Sequence, residues 1–178
     1  MMDRNATVCS VSAVLALMVA AGMIGAAPVI AADKTAESST LAQDRMAIEE
    51  TLRRYVRALD DSDLDAYLDT LTDDAKFLSA EGNYSGKEAI RKYVEPVMKS
   101  RLERRQKEGI AATATHHMVT NQAIEFTDRN SVVVRAYWMF VVAHGTGKPM
   151  TVEIMGSSED YLIRRGGKWL IRERRVAP

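Results

Sequence analysis

Two adjacent histidines, His116 and His117, are the residues of this chain that point most directly to proton-transfer chemistry. An imidazole titrates near neutral pH, so it can take a proton from a carbon beside a carbonyl and return one to a leaving hydroxyl. Both residues lie in a predicted strand, where successive side chains point to opposite faces, so they cannot share one substrate or one metal ion. A hydrogen-bonded structural histidine is the alternative for each of them.

Tyr55 and Asp60 form a second pair with useful chemistry, five residues apart at the end of the first predicted helix. A phenol that reaches a pocket can polarise a carbonyl, and a carboxylate beside an imidazole fixes its tautomer and stabilises the imidazolium. The alternative is structural: Tyr55 follows Ile48 and Leu52 in the apolar stripe of the helix, and Asp60 begins an acid-rich loop.

The predicted strand over 132–142 is apolar at nearly every position, which is typical of a strand with both faces covered. Alternation places Tyr137 and Trp138 on opposite faces, and either of them can line a cavity suited to flat apolar ligands. Helices can cover one face of this strand, while the other needs a partner, most simply a second copy of the chain. We therefore expect a small hydrophobic ligand and a homodimer.

Composition places the chain among ordinary soluble proteins. Of its 178 residues 47% are hydrophobic and 27% are charged, which excludes wholesale disorder, and the length allows one domain. The 24 basic residues equal the 24 acidic ones, so the formal charge is zero. This balance argues against a nucleic-acid partner, which would require a net basic surface.

Residues 1–32 have the pattern of a cleavable signal peptide. No charge occurs from Val8 to Ala27, and small residues precede Asp33, so we predict cleavage after Ala32 and a periplasmic or secreted protein. An uncleaved anchor is the alternative, because about 20 apolar residues can span a bilayer. The many Ala and Gly residues make a poor anchor, so we expect no stable membrane attachment after cleavage. Removal of the leader also removes Cys9, the only cysteine, and leaves 33–42 as a predicted flexible linker.

The hydrophobic period changes once along the chain. Helical spacing predicts a helix from a capping box at Thr40 and Gln43 to Leu59, a short helix capped by Ser62 and Asp65, and a longer one over 86–107. A short strand or hairpin is predicted from residues 75–79 and a turn at 81–83, and strands are predicted over 113–126, 131–144, 150–164 and 168–176. Helices followed by an antiparallel meander predict an α+β domain with the helices on one face of the sheet.

Several local strings, taken in order, resemble the SnoaL-like family of the nuclear transport factor two-like superfamily, in its scytalone and bile-acid dehydratase branch. The strings are Tyr55 with Ala58-Leu59-Asp60, Leu71-Thr72-Asp73-Asp74-Ala75, Gly86-Lys87-Glu88-Ala89-Ile90, His116-His117-Met118-Val119-Thr120-Asn121, Gly167-Lys168-Trp169-Leu170-Ile171 and Arg174-Arg175-Val176. The resemblance covers Gln43 to Val176, and 43–178 is the predicted domain. It implies a curved, mostly antiparallel sheet wrapped around N-terminal helices, forming a conical pocket (a cystatin-like α+β roll).

The resemblance also implies roles for individual residues. It makes His117 the catalytic base and acid, with Asp60 as its orienting carboxylate and Tyr55 as the polarising hydroxyl. His116, Asn121, Tyr137 and Trp138 are then predicted ligand contacts, and Asp160 and Arg174 a structural pair across two strands. The dehydratases carry a further acid on the strand after the histidine, and here that stretch reads Arg135-Ala136-Tyr137-Trp138.

Two functions remain open: a lyase or isomerase acting on a small apolar molecule with a carbonyl or hydroxyl, or a non-catalytic binding module of the same fold. Proton transfer of this kind uses side chains alone, so no cofactor is expected. No metal is expected either, because the calcium-loop-like run from Asp61 to Asp65 continues with Ala66 and Thr72 where that loop needs Gly and Glu.

Overall fold

A computed structural model describes residues 29–108, 115–144 and 148–178, with side chains from residue 40 onward. Two helices precede a first pair of strands, a third helix comes after this pair, and four longer strands follow. The elements are α1 Val29–Asp61, α2 Leu64–Leu68, β1 Leu71–Ser79, β2 Gly82–Ser85, α3 Lys87–Glu108, β3 Thr115–Asp128, β4 Ser131–Val142, β5 Thr151–Arg165 and β6 Lys168–Ala177. The bounds predicted for the last four strands agree with these within two residues.

All six strands belong to one open, curved sheet in the order β2-β1-β6-β5-β4-β3. Strands β3 to β6 form the predicted antiparallel meander, and β1 joins its edge by pairing in parallel with β6. The helices cover one face of the sheet, which confirms the predicted α+β class. The other face is called the outer face below.

Helix α1 is held against the inner face by its apolar stripe. Ile48, Leu52 and Tyr55 are buried as the spacing predicted, and they pack with Val134, Leu162 and Ile171 of the sheet. The buried Thr51 hydroxyl donates a hydrogen bond to the Trp169 carbonyl of β6 at 2.9 Å. This contact fixes the rotation of α1 on the sheet, so Tyr55 faces inward.

The start of α1 differs from the prediction. The helix begins at Val29, so the Thr40–Gln43 capping box does not begin it, and residues 33–42, predicted as a linker, are helical. The physical reason is local: this stretch contains no Gly or Pro, the two residues that disfavour a helix interior most. Most of the predicted signal peptide, residues 1–28, lies outside the described residues. Within the described part of the chain, no helix is long and apolar enough to cross a membrane.

A tight connection separates α1 from α2. Asp63 is the N-cap of α2, where its carboxylate accepts a hydrogen bond from the backbone N–H of Ala66 at 3.0 Å. The cap predicted from Ser62 and Asp65 is therefore wrong. Ser62 instead takes a left-handed conformation with φ of 61°, which reverses the chain between the helices. This turn brings α2, with the buried Tyr67, beside Tyr55 of α1.

Candidate functional site

Asp60, in the last turn of α1, and His117 of β3 form a close hydrogen-bonded pair. The imidazole Nδ1 lies 2.6 Å from Oδ1 of Asp60, and the backbone N–H of His117 donates to both carboxylate oxygens at 3.1 and 3.0 Å. A carboxylate only accepts hydrogen bonds, so Nδ1 carries the proton and Nε2 is the nitrogen left for a ligand. Both side chains are largely buried: 19% of the His117 side-chain surface and 14% of the Asp60 side-chain surface are exposed.

A cavity of about 270 Å³ lies between α1, α2, α3 and the inner face of the sheet. Its wall is mainly aromatic and aliphatic, with few polar groups, which is the usual character of a site for a small organic ligand. The aromatic lining residues are Tyr55, Tyr67, Phe77, Tyr93, Trp138 and Phe140, and the charged or titratable ones are Glu81, Arg101, His117 and Arg174. His117 thus joins the cavity to the Asp60 carboxylate.

Two tyrosine hydroxyls meet in this cavity. The Tyr55 and Tyr67 oxygens are 3.2 Å apart, and their rings pack with centroids separated by 4.8 Å. Burial raises the pKa of both phenols, so both stay protonated at neutral pH. Their mutual hydrogen bond uses one of the two phenolic hydrogens, so the other can be donated to a ligand oxygen.

A buried ion pair lies beneath the tyrosines. Nη1 of Arg174 on β6 lies 2.7 Å from both carboxylate oxygens of Asp160 on β5, and the guanidinium stacks over the Tyr55 ring at 4.8 Å. Burial would lower the pKa of Arg174, but the adjoining Asp160 carboxylate reverses this and raises it, which keeps the guanidinium charged. The pair supports the cavity wall at Tyr55, in addition to bridging the two strands.

Arg101 of α3 is a lining residue that the sequence analysis did not identify. Its Nη1 donates to the Leu59 carbonyl of α1 at 3.2 Å, and its guanidinium lies 5.5 Å from the centroid of the Phe140 ring. Burial lowers the pKa of this guanidinium, against the opposing influence of the nearby Asp60. A helical stripe of Ile90, Val94 and Met98 continues to position 101, so the spacing in α3 places this residue on the buried side of the helix, although it does not indicate a cavity there.

Of the aromatic pair on β4, Trp138 lines the cavity and Tyr137 does not. The Trp138 indole N–H donates to the Ser157 carbonyl at 3.1 Å. Opposite it in β5 stands Gly156, where a Cβ would lie 2.1 Å from the Ala177 carbonyl oxygen, so only glycine fits. Tyr137 points to the outer face, with 58% of its surface exposed.

His116 and Asn121 also lie away from the cavity, although they were predicted as ligand contacts with Trp138. Strand alternation turns His116 from the face that carries His117. Asn121 has a left-handed φ of 53° in an irregularity of β3, where the pairing with β4 shifts between Thr120 and Ala123. Both residues border a second depression outside α1 and β3, which Asp60 and His117 also line. The cavity itself brings together His117, Tyr55 and Trp138 and does not include His116, Asn121 or Tyr137. The Asp60–His117 pair lies between the cavity and this second depression.

The described residues hold no group of three or more His, Cys, Asp or Glu side chains that could bind a metal ion.

Tyr67, Tyr93 and Glu81 reach the cavity from α2, α3 and the β1–β2 turn. No spacing in the sequence indicates that these residues join Tyr55, because their convergence depends on how the segments pack.

The burial of Tyr67 should make the free energy of unfolding depend on pH in the alkaline range. Burial raises its pKa well above the ordinary 10.0, so the unfolded chain loses this proton at a lower pH than the folded protein. The contribution of Tyr67 is therefore fully present below about pH 10 and is lost as pH rises towards the folded pKa, at up to about 1.4 kcal/mol per pH unit. Tyr67→Phe should make the free energy of urea unfolding fall less steeply between pH 9 and 11.

Phe126, an aromatic residue without an ionisable group that packs against Trp169, supplies the control for this measurement. Phe126→Leu removes an aromatic ring without touching the buried tyrosine pair, so its alkaline slope should equal that of the wild type. An unchanged slope in Tyr67→Phe would show that Tyr67 ionises in the folded protein as readily as in the unfolded chain.

Fold and cavity together define a protein of the cystatin-like α+β roll class, with a site for a small molecule between its helices and its sheet. The chain belongs to the SnoaL-like family, because the SnoaL-like domain matches residues 40–175. No curated protein matches the chain in sequence.

Solved structures with the same fold include proteins from two bacteria. A candidate scytalone dehydratase from Novosphingobium aromaticivorans is 19% identical with a TM-score of 0.60, over 78% of this chain and 86% of that one. An NTF2-like protein with a cystatin-like fold from the same organism is 14% identical with a TM-score of 0.67, over 80% and 86%. A protein of unknown function with a cystatin-like fold from Nostoc punctiforme is 21% identical with a TM-score of 0.61, over 76% and 91%. These likenesses establish the fold alone.

Proposed function

We propose that the protein is a cofactor-independent lyase or isomerase, of dehydratase type, acting on a small, largely apolar molecule that carries a carbonyl or a hydroxyl. The observation that carries this proposal is the Asp60–His117 pair in the wall of an aromatic cavity, with Nδ1 and Oδ1 2.6 Å apart. An imidazole oriented by a carboxylate is a competent general base and acid, and the pair leaves Nε2 for the ligand.

The reaction proceeds by proton transfer through His117. Nε2 takes a proton from the carbon beside the ligand carbonyl, and the C–H electron pair moves to give an enolate. The free hydroxyl hydrogen of the Tyr55–Tyr67 pair stabilises the enolate oxygen. In dehydration the carbonyl re-forms as the bond from the β-carbon to its hydroxyl breaks, and His117 returns the proton to the departing group as water. In isomerisation the proton returns to a different carbon. The imidazole finishes neutral in both cases.

A non-catalytic binding module is the second candidate. The observation that favours it is the aromatic character of β4, where Trp138 and Phe140 line the cavity in the strand that carries a further acid in the dehydratases. Such a wall binds flat apolar rings through contact area alone. This candidate uses the same cavity, but it requires binding without turnover.

Exchange of α-protons for deuterium separates the two candidates without knowledge of the natural substrate. The wild-type protein would be incubated in D₂O with 2-tetralone, a bicyclic ketone with acidic α-protons, and followed by proton NMR. Exchange faster than in buffer alone supports the lyase or isomerase. Binding of the ketone with no acceleration supports the binding module. Mass spectrometry of ligands retained by the purified protein would then indicate the natural substrate class.

We also propose that a second copy of the chain covers the outer face of the sheet. Met118, Met139 and Met155 align directly across β3, β4 and β5. In this methionine row Met118 and Met155 are exposed, as is the adjoining Tyr137, while Met139 between them is half-buried. Two arginines and two glutamates flank the row and pair with one another within the chain, so these four residues carry no net charge that would repel a second copy: Arg135, Arg175, Glu125 and Glu159.

Light scattering after size-exclusion chromatography tests this dimer. Met155→Glu places a charge in the methionine row and should convert a dimer into a monomer, because an unpaired charge is costly to bury. Leu102→Glu changes an equally apolar exposed residue on α3 and should leave the dimer intact. A wild-type protein that is monomeric at high micromolar concentration would contradict the proposal.

A further inference from the structure

Arg101 carries a positive charge into the cavity without a charged partner. Throughout the described residues, 29–108, 115–144 and 148–178, no carboxylate lies within 4.0 Å of its guanidinium nitrogens, and its hydrogen bond is to the neutral Leu59 carbonyl at 3.2 Å. Arg174, the other arginine of the cavity, is neutralised by Asp160 at 2.7 Å. The carboxylate of Asp60, whose charge acts on Arg101 from beyond ion-pair distance, already accepts three hydrogen bonds from His117.

A guanidinium has five N–H donors, so Arg101 retains several that no described residue accepts. Partial burial among apolar side chains makes this charge costly, and an anion bound beside it would offset the cost. The guanidinium is also held in place, because it rests on the Phe140 ring at 5.5 Å and on the end of α1. The Arg101 guanidinium therefore presents hydrogen-bond donors in a fixed position at the wall of an apolar cavity.

Arg101 and His117 share one neighbour, which sets the geometry of a ligand between them. The His117 ring lies against Phe140 with centroids 4.9 Å apart, and Arg101 lies over the same ring. A ligand packed on Phe140 and Trp138 can thus place one end at the guanidinium and another group at the imidazole.

We propose that Arg101 is a specificity-determining residue that binds an anionic group, most simply a carboxylate, on a ligand whose aromatic or apolar part lies against Phe140 and Trp138. The inference deepens the proposed function, since it uses the same cavity and narrows the substrate class to acidic molecules. It concerns binding alone, so it can be tested whether or not turnover occurs.

Arg105 offers a matched control, because it lies one turn further along α3 and shares the structural role of Arg101 without lining the cavity. Its guanidinium donates to the carbonyls of Asp60 and Asp61, so both arginines stabilise the C-terminal end of α1. A defect caused by loss of this capping should therefore appear in Arg105→Gln as well as in Arg101→Gln. A loss of anion recognition should appear in Arg101→Gln alone.

The test is calorimetric titration with two probes of similar shape, 2-naphthoate and the uncharged 2-naphthalenemethanol. The wild type and Arg105→Gln should bind the carboxylate at least about tenfold more tightly than the alcohol, as expected for hydrogen bonds to a charged group. Arg101→Gln should bind both probes with similar affinity, and Arg101→Lys should restore part of the preference.

Equal affinity for the two probes in the wild type would overturn the inference, and so would a preference that survives Arg101→Gln. Binding of neither probe at millimolar concentration would also overturn it, because the cavity would then not accept an aromatic acid. Loss of the preference to the same extent in Arg105→Gln would assign Arg101 to helix capping alone. Failure of the proposed catalysis is a separate result: the carboxylate preference would persist while α-proton exchange stayed at the rate of buffer.

Discussion

A His117→Gln variant is expected to catalyse α-proton exchange of 2-tetralone about 10²- to 10⁴-fold more slowly than the wild type, with little change in ketone affinity. Glutamine keeps a polar group of similar reach, but an amide cannot accept and return a proton near neutral pH. The rate is measured by proton NMR in D₂O, and the affinity by quenching of tryptophan fluorescence, because Trp138 lines the cavity.

His116→Gln is the matched control, since it changes the neighbouring histidine of the same strand on the opposite face. Its exchange rate should stay within a few-fold of the wild type. Asp60→Asn should lower the rate while leaving the imidazole in place, because the carboxylate orients Nδ1 and stabilises the imidazolium. Wild-type exchange that persists in His117→Gln would remove His117 as the base and with it the proposed lyase or isomerase.

An Asp160→Asn variant is expected to lose about 3–5 kcal/mol of its free energy of unfolding, which is much of the stability of an ordinary domain. The substitution preserves the shape of the side chain and leaves the buried Arg174 guanidinium without a counter-charge. Urea unfolding followed by circular dichroism measures the loss. Arg174 also rests on the Tyr55 ring, so the cavity wall should loosen together with the pair.

Two variants separate the buried charge from other effects of the substitution. Glu159→Gln changes the adjacent acid, which points to the outer face and pairs with Arg135, and should cost about 0–1 kcal/mol. Combining Asp160→Leu with Arg174→Met removes both charges and should recover much of the stability lost in Asp160→Asn, since apolar replacements of a buried pair are often tolerated. If Asp160→Asn were as stable as the wild type, the positive charge of Arg174 would be compensated by a group other than Asp160.

The predictable part of the site follows from rules that act within one segment. The stripe of Ile48, Leu52 and Tyr55 indicated which face of α1 is buried. The alternation of side chains along a strand indicated that His116 and His117 point to opposite faces of the sheet. Alternation alone could not tell which face of β4 meets the helices, so Tyr137 and Trp138 remained equivalent in the sequence. The structure distinguishes them, because Trp138 follows the parity of the buried Val132 and Val134.

The sequence by itself determined the order of the helices and strands and which residues share a face within each one, because these depend on the spacing of apolar residues and on turn residues nearby. Tertiary structure alone decided that β1 pairs in parallel with β6, that Asp60 reaches His117 across 57 positions, and that Tyr67 meets Tyr55. It also decided that Arg101, on a helix that reads as basic and exposed, enters an apolar cavity. Such contacts join distant segments, and the packing of the whole core selects them, whereas spacing reports only on neighbours in the chain.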